Sequence, residues 1–339
     1  MHESLFMKFL LIGLGSAGQR HLKNIKKVYP RSNCFALKST KINKVIDHSN
    51  QLLLNKNIEK VYDLKFLSSI QDAKAINPNF VFISSVTSQH LRYVDFLLKL
   101  NCKIFIEKPL SSNWKQINKI KKLKNIDKRV FVGFQYRFHP ALEKINREIK
   151  KRSFGNLVSA IFYNGEYLPY MHKYENYENS YAAKKKLGGG SLLTQIHEID
   201  LALYFFGNPI KVFSSGGKLS NLNIDVEDSV HLLMEFRKYK NSFPATIILN
   251  FLSPLKKEIE ILSDKYKITF NFKDNFYSVY NLKSLNVSKV KFKFSRNDMF
   301  IAELKAFVEG KDHKKLVSFN DSVKSLMLIK KIKKNINHY

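Results

Sequence analysis

The stretch MKFLLIGLGSAGQRH, residues 7–21, constrains the chain more than any other: an apolar run passes directly into Gly13, Gly15 and Gly18, spaced G-x-G-x-x-G. An apolar strand followed by this spacing and an amphipathic helix opens a β-α-β unit whose turn brings backbone N–H groups to a phosphate. Gly13 then permits the tight turn, Gly15 lets a pyrophosphate approach the backbone, and Gly18 lets helix pack on strand. Ser16 and Ala17, inside the turn, join them as candidate cofactor contacts. The bland alternative is a buried strand ending in a glycine-rich turn.

The pattern downstream of the turn supports the first reading. To about Lys128, apolar runs (NCFALKS, FVFISSV, CKIFIEKP) alternate with helical patterns at Gln19–Tyr29 and His90–Leu100. Such alternation predicts a parallel sheet with crossover helices. Beyond that the period shortens to two in LVSAIFYNGEYL, IKVFSSGG, SVHLLMEFR, ATIILNFLS, EIEILSDKYKITFNF and NFYSVYNL, interrupted by a single long helix, Ser191–Phe206. Short turns between such strands predict a mostly antiparallel sheet, and helices at Phe300–Glu309 and Asp321–Asn335 close the chain. The expected organisation is an α/β protein: a parallel-sheet domain over 1–130, and an α+β domain with an open sheet over 131–339 whose last helix returns to the first domain.

Composition narrows the class. The 339 residues are 44% hydrophobic, yet Lys and Asn interrupt every apolar run before it reaches a membrane-spanning length. Glu3 and Lys8 spoil any resemblance to a signal peptide, with Met7 an alternative start, so a soluble cytoplasmic protein is expected. Cys34 and Cys102 sit in apolar runs without metal-ligand spacing, as reduced buried thiols, and no metal site is expected. The net charge of +30 is spread through every segment and forms no basic stripe, which argues against specific nucleic-acid binding. The positive field favours anionic substrates such as phosphorylated or carboxylated sugars.

Three further stretches carry chemistry. At the end of the second strand, ALKSTKIN holds no acid to accept from ribose hydroxyls. Lys38, Ser39 and Thr40, with Lys41 beside them, suit a 2'-phosphate, so NADP is preferred and NAD stays open. IFIEKPLS puts Glu107, Lys108 and Pro109 at a strand's carboxyl end, where ligands gather in parallel sheets, and Lys108 there is a candidate cation or proton donor. In KKKLGGGSLLTQIHEIDLALYFFG, three glycines lead into a helix on which Thr194, His197, Asp200 and Leu201 share neighbouring faces. Ser85, Thr87 and His90, after the third parallel-type strand, complete the candidate cofactor set.

The glycine turn, the E-K-P, VGFQYRFHP, and G-G-G followed by H-E-I-D, in this order, resemble the Gfo/Idh/MocA family of NAD(P)-dependent oxidoreductases. The resemblance spans nearly the whole chain, including FIAELKAFVEG and VSFNDSVKSLMLI. It implies an active site in the cleft between a Rossmann domain and an open sheet, dimers packed through the sheet face, Lys108 near the nicotinamide and substrate hydroxyl, and His197 as general acid or base. One departure stands out: where many members carry Asp four residues before the helix histidine, this chain has Leu193, with Thr194 one step later as a hydroxyl-bearing third candidate. A chain that binds cofactor as a sensor, with its chemistry impaired, is therefore the alternative to an active enzyme. The stretch NGEYLPYMHKYENYENSYAAKKKLGGG is similar to the substrate loop of a branch associated with bacterial surface-sugar synthesis. It implies Tyr167, Tyr174, Tyr177 and Tyr181 as sugar contacts and Arg137 as the partner of an anionic group, against the simpler reading of an aromatic loop packed over the sheet.

Overall fold

A computed structural model describes residues 6–37, 44–46, 51–171 and 175–336. The first sheet has seven strands in the order β17-β8-β7-β6-β1-β2-β5. These are β1 (Lys8–Ile12), β2 (Asn33–Leu37), β5 (Leu64–Leu67), β6 (Phe80–Ile83), β7 (Lys103–Glu107), β8 (Val130–Gly133) and β17 (Val317–Ser318), with a separate hairpin of β3 (Lys44–Ile46) and β4 (Leu52–Asn57). All pairings are parallel except β17, which runs antiparallel to β8. Chain order reverses between β1 and β6, and a doubly wound sheet binds its ligand at that crevice. Burial of Phe9 to Leu11, Val81 to Ile83 and Ile104 to Ile106 on both faces accounts for the unbroken apolar runs.

The second sheet has eight strands in the order β10-β11-β12-β9-β13-β14-β15-β16. They are β9 (Leu157–Gly165), β10 (Lys211–Gly217), β11 (Ser229–Lys238), β12 (Asn241–Asn250), β13 (Lys256–Ser263), β14 (Tyr266–Asn271), β15 (Phe276–Asn281) and β16 (Val287–Lys291). The sheet is antiparallel apart from the β12–β9 pair. Its inner residues, among them Phe162, Leu232, Ile247 and Ile261, pack on the helices Pro140–Lys150 and His197–Phe206. The α/β class with two sheets of these types is as the sequence predicts. Strand β8 belongs to the parallel sheet and the next strand of the other sheet begins at Leu157, so the chain changes sheets between Gly133 and Leu157.

Three helical expectations need correction. His90–Leu100 is not one helix: i→i−3 bonds from His90 to Thr87, Arg92 to Gln89 and Val94 to Leu91 make tight turns, and only Val94–Leu97 is α-helical. The His90 ring is the cause, since its two nitrogens lie 2.8 Å from the Pro109 and Ser85 carbonyls and draw that segment over the E-K-P turn. Pro140–Lys150 is a second long helix in the later half, capped by the His139 ring and begun by a proline at its first turn. Ser191–Phe206 breaks at Gln195–Ile196 into Ser191–Thr194 and His197–Phe206, because the Gln195 amide is drawn to the Asn250 carbonyl, 2.9 Å away. Among the described residues, no helix is long and apolar enough to cross a membrane.

Candidate active site

The site assembles where the carboxyl ends of β1, β6 and β7 meet the broken helix. At the glycine turn, Gly13 has φ +99°, and a Cβ there would lie 2.5 Å from the Ser85 nitrogen, so the backbone passes against the end of β6. A Cβ on Gly18 would strike the Gly13 carbonyl. Gly15 is different: a Cβ there would meet nothing within 4 Å. As N-cap of the helix Ser16–Val28 it offers no capping side chain, and no acid occupies the first turn. Open space over uncapped N–H groups at a helix's positive end fits the pyrophosphate of a dinucleotide. Lys38, Ser39 and Thr40, the proposed 2'-phosphate contacts, lie outside the described residues, as do Lys41 and Tyr174.

The E-K-P turn is braced from several sides, and the Lys108–Pro109 bond is cis. Glu107 is buried and turned inward, its Oε1 2.6 Å from His21 Nε2 and its Oε2 accepting from the Lys108 backbone N–H. Burial works against its charge, but the His21 contact prevails and keeps the carboxyl below its ordinary range. Ser85 Oγ and Thr87 are buried, and a Cβ on Gly188 of the G-G-G would meet the Thr87 side chain. The glycine turn, the β6 loop, the E-K-P and the G-G-G are thus in mutual contact.

Lys108 reaches across to the broken helix. Its Nζ donates to the Thr194 carbonyl at 2.7 Å, at the interruption that precedes His197. Burial lowers the Lys108 pKa to about 8, only partly opposed by Glu107. His197 is buried under Tyr136, whose ring stacks on it at 4.3 Å, with Phe134 edge-on at 5.7 Å. Burial, then the charges of Lys108, Lys257 and Arg296, push the His197 pKa well below its ordinary value, so the imidazole is neutral. The Gln135 amide lies 3.3 Å from Nε2, while Nδ1 and the Thr194 hydroxyl have no hydrogen-bond partner among the described residues. Leu193, at the position of the missing acid, is buried in the core.

Several expected contacts are occupied otherwise. Arg137 forms a two-pronged ion pair with buried Asp200, at 2.9 and 2.7 Å, and stacks over Tyr204. Its fork is therefore filled by the protein, beside a separate surface pocket with Leu203 and Lys324 in its wall. Tyr167 is exposed beside Tyr170; Tyr177 and Tyr181 pack against the cluster of Leu168, Ala182 and Phe251, and the Tyr177 hydroxyl accepts from the Asn223 N–H.

Sequence reading missed Gln135, Tyr136, Glu198 and Lys257. Glu198, next to His197 in the chain, is buried, and burial raises its pKa to about 7 against the opposing pull of Asn164 and Lys257. Lys257 pairs with Glu166 at 2.8 Å. The charged residue after His197 is the one local signal among these four, since Lys257 arrives by sheet register alone. Among the described residues no cluster of His, Cys, Asp or Glu is placed to hold a metal ion.

Residues 7–134 match the oxidoreductase family with an NAD-binding Rossmann fold, and residues 142–269 match the GFO/IDH/MocA C-terminal domain. A myo-inositol 2-dehydrogenase of Thermotoga maritima is 25% identical over 234 residues, 67% of this chain and 64% of that protein, so the match spans less than two thirds of the relative's length. Two solved structures share the fold. One is the WlbA dehydrogenase from Bordetella pertussis in complex with NADH and UDP-GlcNAcA (TM-score 0.71, 17% identity, 98% of this chain and 97% of that one). The other is the UDP-N-acetylglucosamine 3-dehydrogenase GnnA from Acidithiobacillus ferrooxidans (TM-score 0.74, 15% identity, 98% of both chains). With both family domains matched in order along the chain, this protein belongs to the Gfo/Idh/MocA oxidoreductase family.

Proposed function

We propose that the protein is an NAD(P)-dependent dehydrogenase that interconverts a carbinol and a carbonyl on a sugar, sugar acid or nucleotide-sugar. The observation that carries this is the bond from Lys108 Nζ to the Thr194 carbonyl, which ties the end of β7 to the helix break that precedes a buried, neutral His197. Bound NAD(P) supplies the hydride exchange, and Gly13, Gly15, Ser16, Ala17 and Gly18 would hold its pyrophosphate. The protein's own groups handle the proton. The Lys108 ammonium donates to the reacting oxygen, and its lowered pKa eases proton exchange near neutrality. With the Gln135 amide oxygen toward Nε2–H, Nδ1 of His197 accepts the hydroxyl proton during oxidation; with the amide nitrogen toward Nε2, Nδ1–H donates to a carbonyl during reduction. Tyr136 and Phe134 keep water from the ring. Thr194 acts through its carbonyl, and Glu107 and His90 shape the turn behind Lys108.

The relatives that act on an inositol and on nucleotide-sugars support this substrate class, which the exposed Tyr167 in the loop after β9 suits as a sugar contact. The absent acid after β2 favours NADP. Lys38→Asp then shifts the ratio of NADP to NAD affinity toward NAD, and an unchanged ratio removes Lys38 from the site. The test of the function itself is turnover of NAD(P)H with a panel of keto-sugars and nucleotide-sugars, in the wild type and Lys108→Ala. The wild type turns over, and the variant loses roughly 10²–10⁴ in rate while retaining cofactor affinity. Tight cofactor binding without turnover across the panel favours the sensor reading, which Leu193 motivates.

A further inference from the structure

We infer that Lys257 is a second cationic substrate contact, facing the site from the sheet, and that it selects substrates bearing a carboxylate on the sugar ring. The inference rests on the dehydrogenase reading above and names the substrate class of that same site.

Register fixes where Lys257 points. It stands opposite Asn164 of β9, and both continue inner rows of the sheet, Lys257 with Ile259 and Ile261, Asn164 with Ala160 and Phe162. Its side chain is therefore directed at the helix His197–Phe206 and away from the open face; it is only 19% exposed. Its backbone carbonyl accepts from Phe272, whose ring lies 4.8 Å from that of Tyr136, the ring stacked on His197. Gln195, at the break before His197, spans the same corner by bonding the Asn250 carbonyl and the Asn164 side chain.

The ammonium there has donors to spare. An ammonium has three donors, and among the described residues Lys257 Nζ bonds only Glu166. Burial opposes the Lys257 charge, yet Tyr136, Glu166 and Glu198 outweigh it and hold the pKa above its ordinary value. Lys108 and Arg296 act on the same His197, and they are opposed by Glu107 beside Lys108 and by Glu198, whose pKa burial raises to about 7. Glu166 takes one of the three donors of the inward-facing Lys257 ammonium, and a carboxylate on the ligand supplies an acceptor for the others. Glu166 precedes Tyr167 of the substrate loop, so the pair stands where that loop leaves the sheet.

The experiment uses the full-length protein with UDP-N-acetylglucosamine and its 6-carboxylate counterpart, measuring kcat and KM with NAD(P), and equilibrium binding of each by calorimetry in the presence of reduced cofactor. Lys257→Met is expected to lower the preference for the acid over the neutral sugar roughly tenfold to a hundredfold, chiefly through KM. Lys257→Arg should restore part of that preference, and Glu166→Gln, which frees the ammonium, should increase it. A purely structural pair predicts that Lys257→Met and Glu166→Gln weaken both ligands alike, and that result overturns the proposal. An unaltered preference in Lys257→Met does the same, and melting temperatures identify a variant that has failed to fold. Should neither sugar turn over, the dehydrogenase reading is decided by the wider panel above, and the calorimetric preference of the same variants still decides the role of Lys257.

Discussion

Lys108 and Thr194 lie 86 residues apart in the chain and meet in a 2.7 Å hydrogen bond between the Lys108 ammonium and the Thr194 carbonyl. A continuous helix would spend that carbonyl on its own ladder. The break at Gln195–Ile196 turns it toward β7, so one local irregularity joins the two domains at the candidate site.

The pH profile follows from the two lowered pKa values. Lys108 must be charged to donate, so activity falls as pH rises through about 8. His197 stays neutral well below its ordinary value, so no loss appears at the usual imidazole pKa on the acid side. Initial rates from pH 5 to 10 check both; an acid limb near pH 6.5 would show that His197 titrates normally.

Stability should fall in acid for a related reason. His139, buried against Phe270 and Phe294, is lowered to about 4 by burial, and burial also holds His197 well below its ordinary value. Between about pH 6.5 and 4 these histidines bind protons in the unfolded chain that they do not bind in the folded one, so the stability they contribute is present above 6.5 and lost as pH drops. Glu198, raised to about 7, contributes with the opposite sign. Thermal melts across this range read the decline, and His139→Gln should flatten part of it; equal slopes in both proteins would assign the decline elsewhere.

The two turn glycines should separate folding from binding. Gly13→Ala forces a Cβ against the Ser85 backbone at positive φ and lowers the melting temperature. Gly15→Val enters open space at φ −69°, so the melt is nearly unchanged while NAD(P) affinity drops at least about tenfold, as expected when a side chain fills the phosphate approach. Cofactor titration of the folded Gly15 variant provides the check.

Arg137 should behave as a structural residue. Removing it strands a carboxylate that is 3% exposed, so Arg137→Met costs about 3–5 kcal/mol of stability. Denaturant unfolding measures this. A full-stability variant with a raised KM would return Arg137 to substrate binding.

The outer face of the second sheet carries a lateral row through Phe213, Leu233, Thr246 and Ile161, with Phe213 60%, Leu233 47% and Ile161 42% exposed. An apolar row of this kind is suited to a second copy of the chain. We expect a dimer in sedimentation that Leu233→Glu with Ile161→Glu converts to monomer; a wild-type monomer would contradict it.

The fold is largely readable from the sequence because its signals are local. Period-two patterning marks the open sheet, and the glycine spacing sits where one strand ends and one helix begins. What escapes depends on distant partners. The His90 ring, drawn to Pro109 and Ser85, overrides a helical pattern, and the break before His197 reflects bonds to Asn250 and Lys108. The helix from Pro140 is the exception, since the proline at its first turn is itself a local start signal. Lys108 and His197 are visible as motif residues, whereas Arg137 looks like a free cation because Asp200 stands 63 residues away. Lys257 lies in a strand like many others, and only the alignment of β13 with β9 turns it inward.

The central claim is that Lys108 and His197 serve one reacting oxygen. A crystal structure with reduced cofactor and a nucleotide-sugar tests it most directly. Lys108 Nζ and a His197 ring nitrogen are then expected both within about 2.6–3.2 Å of the same substrate oxygen, beside the nicotinamide. A sugar bound with either group turned away, or the two on opposite sides of the nicotinamide ring, would contradict it.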